Sequence, residues 1–206
     1  MNSKKKITLL SVFAVILLVA DQVLKMWVKT SFKLGESLTV FPDWFQLLFI
    51  ENNGAAYGMG ADFGDWGKII LSLLRVVLVC GLGYYIYRLV KRKAPVGILV
   101  GLTLILAGAL GNILDSAFYG LIFTKSTTEA VAHFHFTLDG GYSSFMMGQV
   151  VDMFYFPLFK WEAHPQWLNF LFNAEGYFFG PVFNLADAYI SVAVVYLLLF
   201  QYKFFK

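Results

Sequence analysis

The sequence predicts a membrane-embedded, mainly α-helical protein: a single integral-membrane domain over residues 1–206, with four transmembrane helices, both termini cytoplasmic, and a small β-containing extracytoplasmic part. Three observations carry that expectation. Of the 206 residues, 59% are hydrophobic, 18% aromatic and only 14% charged, with a mean hydropathy of +0.67, whereas ordinary globular domains carry about a quarter charged residues. Four windows approach the ~20 apolar residues that a helix needs to cross the hydrocarbon core. Nine of the sixteen basic residues fall in three tight groups beside those windows, which is how helices are oriented in a bilayer. The net charge of +3 is therefore read as a membrane signal, and no nucleic-acid partner is expected.

The windows run over about 7–27, 69–90, 95–114 and 183–202. Lys4, Lys5 and Lys6 precede the first; Arg88, Lys91, Arg92 and Lys93 separate the second from the third; Lys203 and Lys206 follow the fourth. Placing all three groups in the cytoplasm leaves two long outer connections, 31–68 and 116–182, which hold Trp44, Trp66, Trp161 and Trp167 as expected of rings at a membrane boundary, with Trp27 closing the first helix. A cleavable leader is the competing reading of Lys4 to Ala20, since a basic start, an apolar stretch and small residues are its ingredients too. Within the second connection, Val131 to Met146 alternates apolar and polar residues around Asp139-Gly140-Gly141 and predicts a β-hairpin. His133 and His135 stand two apart there, but no third metal ligand is near, and a face touching headgroups is the plainer reading. The aromatic runs 154–159 and 170–179 read as interface anchors. Cys80 is the one cysteine, which excludes an intramolecular disulfide, a multi-cysteine zinc site and an iron–sulfur cluster.

Ionisable groups at membrane depth cost about 2.5 to 3.5 kcal/mol at a helix centre, so each needs a reason to be there. Asp21 and Lys25 are four apart on the first helix, acid first, the favourable order for an ion pair. Arg75 lies in the second helix. Asn112 and Asp115 share a face at the outer end of the third helix, Asn184 and Asp187 repeat that spacing at the start of the fourth, and Asp152 follows a short extended stretch at the same boundary. Two carboxylates brought within a few ångströms cannot both ionise cheaply, so one keeps a proton while the other stays charged, the condition for an aspartic protease dyad acting on water. No metal or nucleophilic side chain is needed, and the sequence has no His-Glu-x-x-His, no Gly-x-Ser-x-Gly and no Cys-His pair near the acids. Two other readings use the same acids: a small transporter or ion channel with a proton or cation site, and a non-catalytic assembly factor with a β-rich outer cap. The spacing alone does not separate them.

Five segments, in order, resemble the lipoprotein signal peptidases, or signal peptidase II family. Asp21-Gln-Val-Leu-Lys25 is similar to the first-helix motif, Asn52-Asn-Gly54-Ala-Ala-Tyr57-Gly to the first outer loop, and Gly108-Ala-Leu-Gly-Asn112-Ile-Leu-Asp115 to the third helix. Val150-Val151-Asp152 and Phe183-Asn184-Leu-Ala186-Asp187 resemble the segments bearing the family's catalytic aspartates. The resemblance implies Asp152 and Asp187 as the dyad. Asn52, Gly54, Asn112 and Asn184 would line or brace the site, and Asp21, Lys25, Gly108, Asp115 and Ala186 would support it. It implies no metal and no cofactor. It further implies a diacylglyceryl-modified prolipoprotein substrate cut before its lipidated cysteine, contact with membrane lipid, a monomer, and residence in the bacterial cytoplasmic (inner) membrane with the site at the periplasmic face. The chain departs from the pattern twice. Ser116 stands where the family usually has Arg after the third-helix Asp, and Arg75 is read either as the compensating cation or as a group that faces a polar crevice or another acid. Residues 121–149, with a further extension near 161–179, lengthen the outer part, either to cover the site or as inert elaboration.

Overall fold

A computed structural model describes residues 2–42, 44–52, 64–135, 140–161, 163, 165–169, 171–172 and 176–204, with backbone only at 64–66, 68 and 69. Helix α1 (Ser3–Ser31) opens on Asn2, whose side-chain oxygen accepts from the Lys4 N–H at 3.1 Å. Helix α2 (Gly64–Lys91) turns into α3 (Val96–Leu114) through a corner where Lys93 adopts φ 57° and Pro95 leads the new helix, its fixed φ suited to that start. Helix α4 (Leu185–Phe200) closes the bundle. Strands β1 (Ser37–Phe41), β2 (Phe45–Asn52) and β3 (Val150–Tyr155) form one antiparallel sheet in the order β1-β2-β3.

Three helices, Ser3–Ser31, Ile70–Lys91 and Val96–Ile122, are long and apolar enough to cross a membrane, and Leu185–Phe200 is a shorter apolar helix. At 1.5 Å per residue α4 is about 24 Å long. Their outer faces are apolar: Val12, Ile16, Val19 and Val23 on α1, Leu73, Val77 and Leu78 on α2, and Val192, Leu198 and Leu199 on α4 are all exposed. Patches of that extent belong against lipid or a partner.

Packing inside the bundle depends on close approach. Helix α3 turns glycines toward its neighbours. A Cβ at Gly101 would lie 2.7 Å from Leu197, and one at Gly108 would run into the Ala186 carbonyl and lie 2.7 Å from Ile190. At Gly111 the added carbon would be 2.6 Å from an Asp21 carboxylate oxygen and 3.2 Å from Ala186 Cβ, so α1, α3 and α4 converge at that one residue. Small residues serve this purpose where water supplies no driving force between helices. At the basic end, Ile86, Leu89, Val90, Ile98 and Leu197 form one core with Ile7 and Leu10 beside it, which puts the start of α1, the α2–α3 corner and the end of α4 together. At the opposite end a second core joins Val28 and Phe32 of α1 to Leu47 and Phe49 of β2, Tyr119, Phe123, and Val151 and Met153 of β3.

The outer connections differ from expectation in two ways. The first contains the hairpin β1–β2, which pairs through Ser37↔Leu48 and Leu38↔Leu47. The hairpin expected over 131–146 is absent from the described residues, and 136–139, which include the Asp139 turn position, lie outside them. Residues 131–135 instead pair with 122–124: Phe134 bridges Phe123, the Thr124 N–H donates to the His133 carbonyl at 2.9 Å and the His135 N–H to the Ile122 carbonyl at 2.7 Å. The physical reason is apolar. Phe134 stacks edge-on against Phe123 at 5.5 Å and Ala132 is fully buried, so the alternation matches the helix extension and not residues 140–146. The Gly54 loop also lies outside the described residues.

Replacing Gly108 by leucine should force α3 and α4 apart and lower the midpoint of thermal unfolding in detergent, at a cost of about 1–3 kcal/mol or more from overpacking. Ala109→Leu, one position along, serves as the matched control.

Candidate active site

Helix α1 presents Asp21, Gln22 and Lys25 to the point where α3 ends. The Lys25 ammonium has no exposed surface and lies 3.2 Å from Asp21 Oδ2 and 2.8 Å from Asp115 Oδ2, and it donates to Asn112 Oδ1 at 2.8 Å. Gln22 Nε2 donates to the other Asp115 oxygen at 2.8 Å and its carbonyl accepts from the Tyr119 hydroxyl at 3.2 Å. Each acid has a second task. Asp21 Oδ1 accepts the Ala186 N–H at 3.0 Å, and Asp115 Oδ2 accepts the Val151 N–H at 3.3 Å. The ion cluster therefore grips the backbone immediately before Asp187 and immediately before Asp152. Asp115 can do so because α3 relaxes into a single π-helical turn, Asp115–Tyr119, which buries Asp115, Ser116, Ala117 and Tyr119 together. Such bulges recur at functional sites.

Helix α4 begins with a capping box. The Asn184 side-chain oxygen accepts the Asp187 N–H at 2.9 Å while Asp187 Oδ2 accepts the Asn184 N–H at 3.4 Å. The other side of each residue is left for the site. Asn184 Nδ2 donates to Asp152 Oδ1 at 2.7 Å and to Asn112 Oδ1 at 3.0 Å, and Asn112 Nδ2 donates to Asp187 Oδ1 at 2.8 Å. From β2, the Asn52 amide donates to Asp152 Oδ2. Asp152 and Asp187 are thus joined through two asparagine side chains in unequal surroundings: Asp152 is 2% exposed, whereas Asp187 is only half-buried at the positive end of the α4 dipole. Burial, reinforced by the negative charge of Asp187, pushes the Asp152 carboxyl up to about 7, against the pull of the Asn184 and Asn52 amides and the Lys25 ammonium. A buried carboxyl that holds its proton near neutral pH can polarise a carbonyl.

The remaining sequence candidates fall around this centre. Gly108 and Ala186 are the contact between α3 and α4. Arg75, half-buried on α2, lies within electrostatic reach of Asp187, while Asp115 takes its cation from Lys25. Ser116 is buried where the insertion returns to the helix: the Gly148 N–H donates to its carbonyl at 2.8 Å, and a Cβ at Gly148 would lie 3.0 Å from that oxygen. The insertion 121–149 and Ser116 are therefore neighbours in space. No group of three or more metal-ligating side chains occurs among the described residues. Sequence reasoning missed Gln22 and the buried pair Lys29–Glu51. The signal for the latter was available, since Lys25 and Lys29 are like charges four apart on one helix face, an arrangement that requires acids opposite.

Comparison with known proteins agrees with this architecture. A family model described as signal peptidase (SPase) II matches residues 13–203. The lipoprotein signal peptidase of Porphyromonas gingivalis (strain ATCC 33277) is 46% identical over 188 residues, covering 89% of this chain and 78% of the relative. That of Amoebophilus asiaticus is 34% identical over 191 residues, covering 90% and 74%. A solved bacterial membrane enzyme aligns over 96% of this chain and 89% of its own with a TM-score of 0.63 at 23% identity, which shows a shared fold.

Removing the central cation should leave two buried carboxylates unpaired, so Lys25→Met is expected to lose about 3–5 kcal/mol. Thermal unfolding of the purified variant in detergent checks this, and a midpoint equal to that of the parent would contradict it.

Proposed function

The chain belongs to the signal peptidase II family, a family of membrane-embedded aspartic proteases that process lipoproteins, and on that premise we propose that Asp152 and Asp187 are its catalytic pair. The observation that supports this best is the chain of hydrogen bonds Asp152–Asn184–Asn112–Asp187, which couples two acids from distant parts of the sequence. Asp152, with its raised affinity for the proton, is the acid that polarises the scissile carbonyl, and Asp187 is the base. Asp187 takes a proton from water as the oxygen bonds to the carbonyl carbon. The resulting oxyanion takes its proton from Asp152. As the C–N bond breaks, the leaving amine collects the proton held by Asp187, and the hydroxyl of the tetrahedral intermediate returns its own to Asp152. Arg75 contributes positive charge on the Asp187 side.

The substrate is a prolipoprotein carrying diacylglyceryl on the cysteine after its signal peptide, and the bond cut is the one before that cysteine. A lipid anchored in the outer leaflet holds this bond at the headgroups, which suits a site at the end of the bundle away from the basic clusters. The reading includes four spans with both termini on the cytoplasmic side of the inner membrane, α4 completing its crossing with the turn that follows it, and the active site at the periplasmic face. The reading also includes action as a monomer.

Asp152→Asn and Asp187→Asn, purified and incubated with a lipidated prolipoprotein, should each lose cleavage by about 10²–10⁴-fold. Undiminished cleavage by either folded variant would end the proposal, and ion flux without cleavage in the parent would favour a transporter instead. Activity should also fall as pH rises through the neutral range and Asp152 loses its proton. Facing that carboxyl are Asp187 from α4, Lys25 from α1 and the amides of Asn52 and Asn184. The Asn52 amide favours the ionised form, so Asn52→Ala should move the alkaline limb of kcat/KM to higher pH, and a limb moved downward would contradict the assignment.

A further inference from the structure

Lys29 lies one helical turn beyond Lys25 on α1 and is fully buried. Its ammonium pairs with Glu51 of β2, donates to Ser126 Oγ at 2.9 Å, and lies 5.5 Å and 5.0 Å from the ring centres of Phe123 and Tyr142. Three of those four partners, Phe123, Ser126 and Tyr142, come from the insertion 121–149. The insertion is tied to the chain just beyond the end of α1 by the Leu34 N–H donating to the Thr127 carbonyl at 2.9 Å, and is braced within itself by the Gln149 N–H donating to the Tyr142 hydroxyl at 2.7 Å. Glu51 immediately precedes Asn52, and successive strand residues point to opposite faces. In the β2–β3 register Glu51 stands opposite Val151, on the α1 side, while Asn52 shares the other face with Asp152. Asn52 pairs with Val150, so its bond to Asp152 is a diagonal one. Diagonal neighbours are about 7–8 Å apart, and their contact depends on how the strand is rotated.

We propose that Lys29 is a positioning residue: its ion pair with Glu51, sealed from water by the insertion, fixes the rotation of the end of β2 and so aims the Asn52 amide at Asp152. This gives the insertion a function in the active site. A buried ion pair is weak support for stability, and replacing both members by apolar residues is often neutral or stabilising. Geometry is what the pair supplies and apolar residues do not. The inference rests on the reading of Asp152 as catalytic.

The test is a double-mutant cycle on the full-length protein in detergent, with kcat and KM measured on a lipidated prolipoprotein. Lys29→Met/Glu51→Leu should keep the thermal midpoint and KM of the parent while kcat falls about tenfold to a hundredfold, the size expected of a misaimed group near the chemistry. In the Asn52→Ala background the same pair of changes should cost nothing more. Unchanged kcat in the parent background, or an equal loss in both backgrounds, overturns the proposal. Should that variant fail to fold, Ser126→Ala runs the same cycle with one hydrogen bond removed: a kcat loss confined to the Asn52-containing background supports the role, and no loss or an equal loss overturns it. Asp152→Asn separates the two levels. A folded Asp152→Asn that still cleaves sinks the dyad itself, whereas an inactive one beside an additive cycle sinks only the part assigned to Lys29.

Discussion

One ammonium group organises this molecule. Lys25 is held between two buried carboxylates, and because those carboxylates spend their remaining lone pairs on the backbone at Ala186 and Val151, the cluster fixes both the start of α4 and the start of β3. In a medium of low dielectric constant a lone charge is intolerable, so each of the three groups holds the others in place. The geometry of Asp152 and Asp187 follows from that constraint. Neither could drift without pulling an N–H away from a charged acceptor, and hydrogen bonds to charged groups are among the strongest that proteins make.

The asparagines translate this scaffold into chemistry. Asn184 is a helix cap with its oxygen and a bridge between two acids with its nitrogen, while Asn112 accepts from Lys25 and donates to Asp187. Amides suit this position because they carry both a donor and an acceptor and do not titrate. They link the ion cluster to Asp152 and Asp187 without carrying protons between the two sets.

Much of this was legible in the sequence. Apolar windows and basic clusters located the helices to within a few residues, because lipid imposes length and composition on whatever crosses it. The repeated Asn-x-x-Asp spacing put two acids and two amides at one depth, since three residues is nearly one helical turn. The outer part was less accessible. Strand β1 is exposed along its whole length and has no clean alternation, so the β1–β2 hairpin left little trace. The alternating segment 131–135 found its partner upstream, on the strength of Phe123 and Phe134, and not among residues 140–146. Pattern gives the face of a strand but not the identity of its neighbour. The π-helical turn at Asp115 was equally hidden, because it is dictated by the ions it serves and not by local propensity.

The capping box of α4 has a consequence for biogenesis. Asp187 caps its own helix locally, but on the proposed reading it can act on water beside Asp152 only once Asn184 and Ala186 have docked on elements made earlier. Helix α4 is the last of the four to leave the ribosome, and chains are built and folded from the amino terminus onward. On the proposed reading, a nascent or truncated copy that lacks α4 carries Asp152 without its partner and does not cleave. Proteolytic competence then arrives only with the fourth helix.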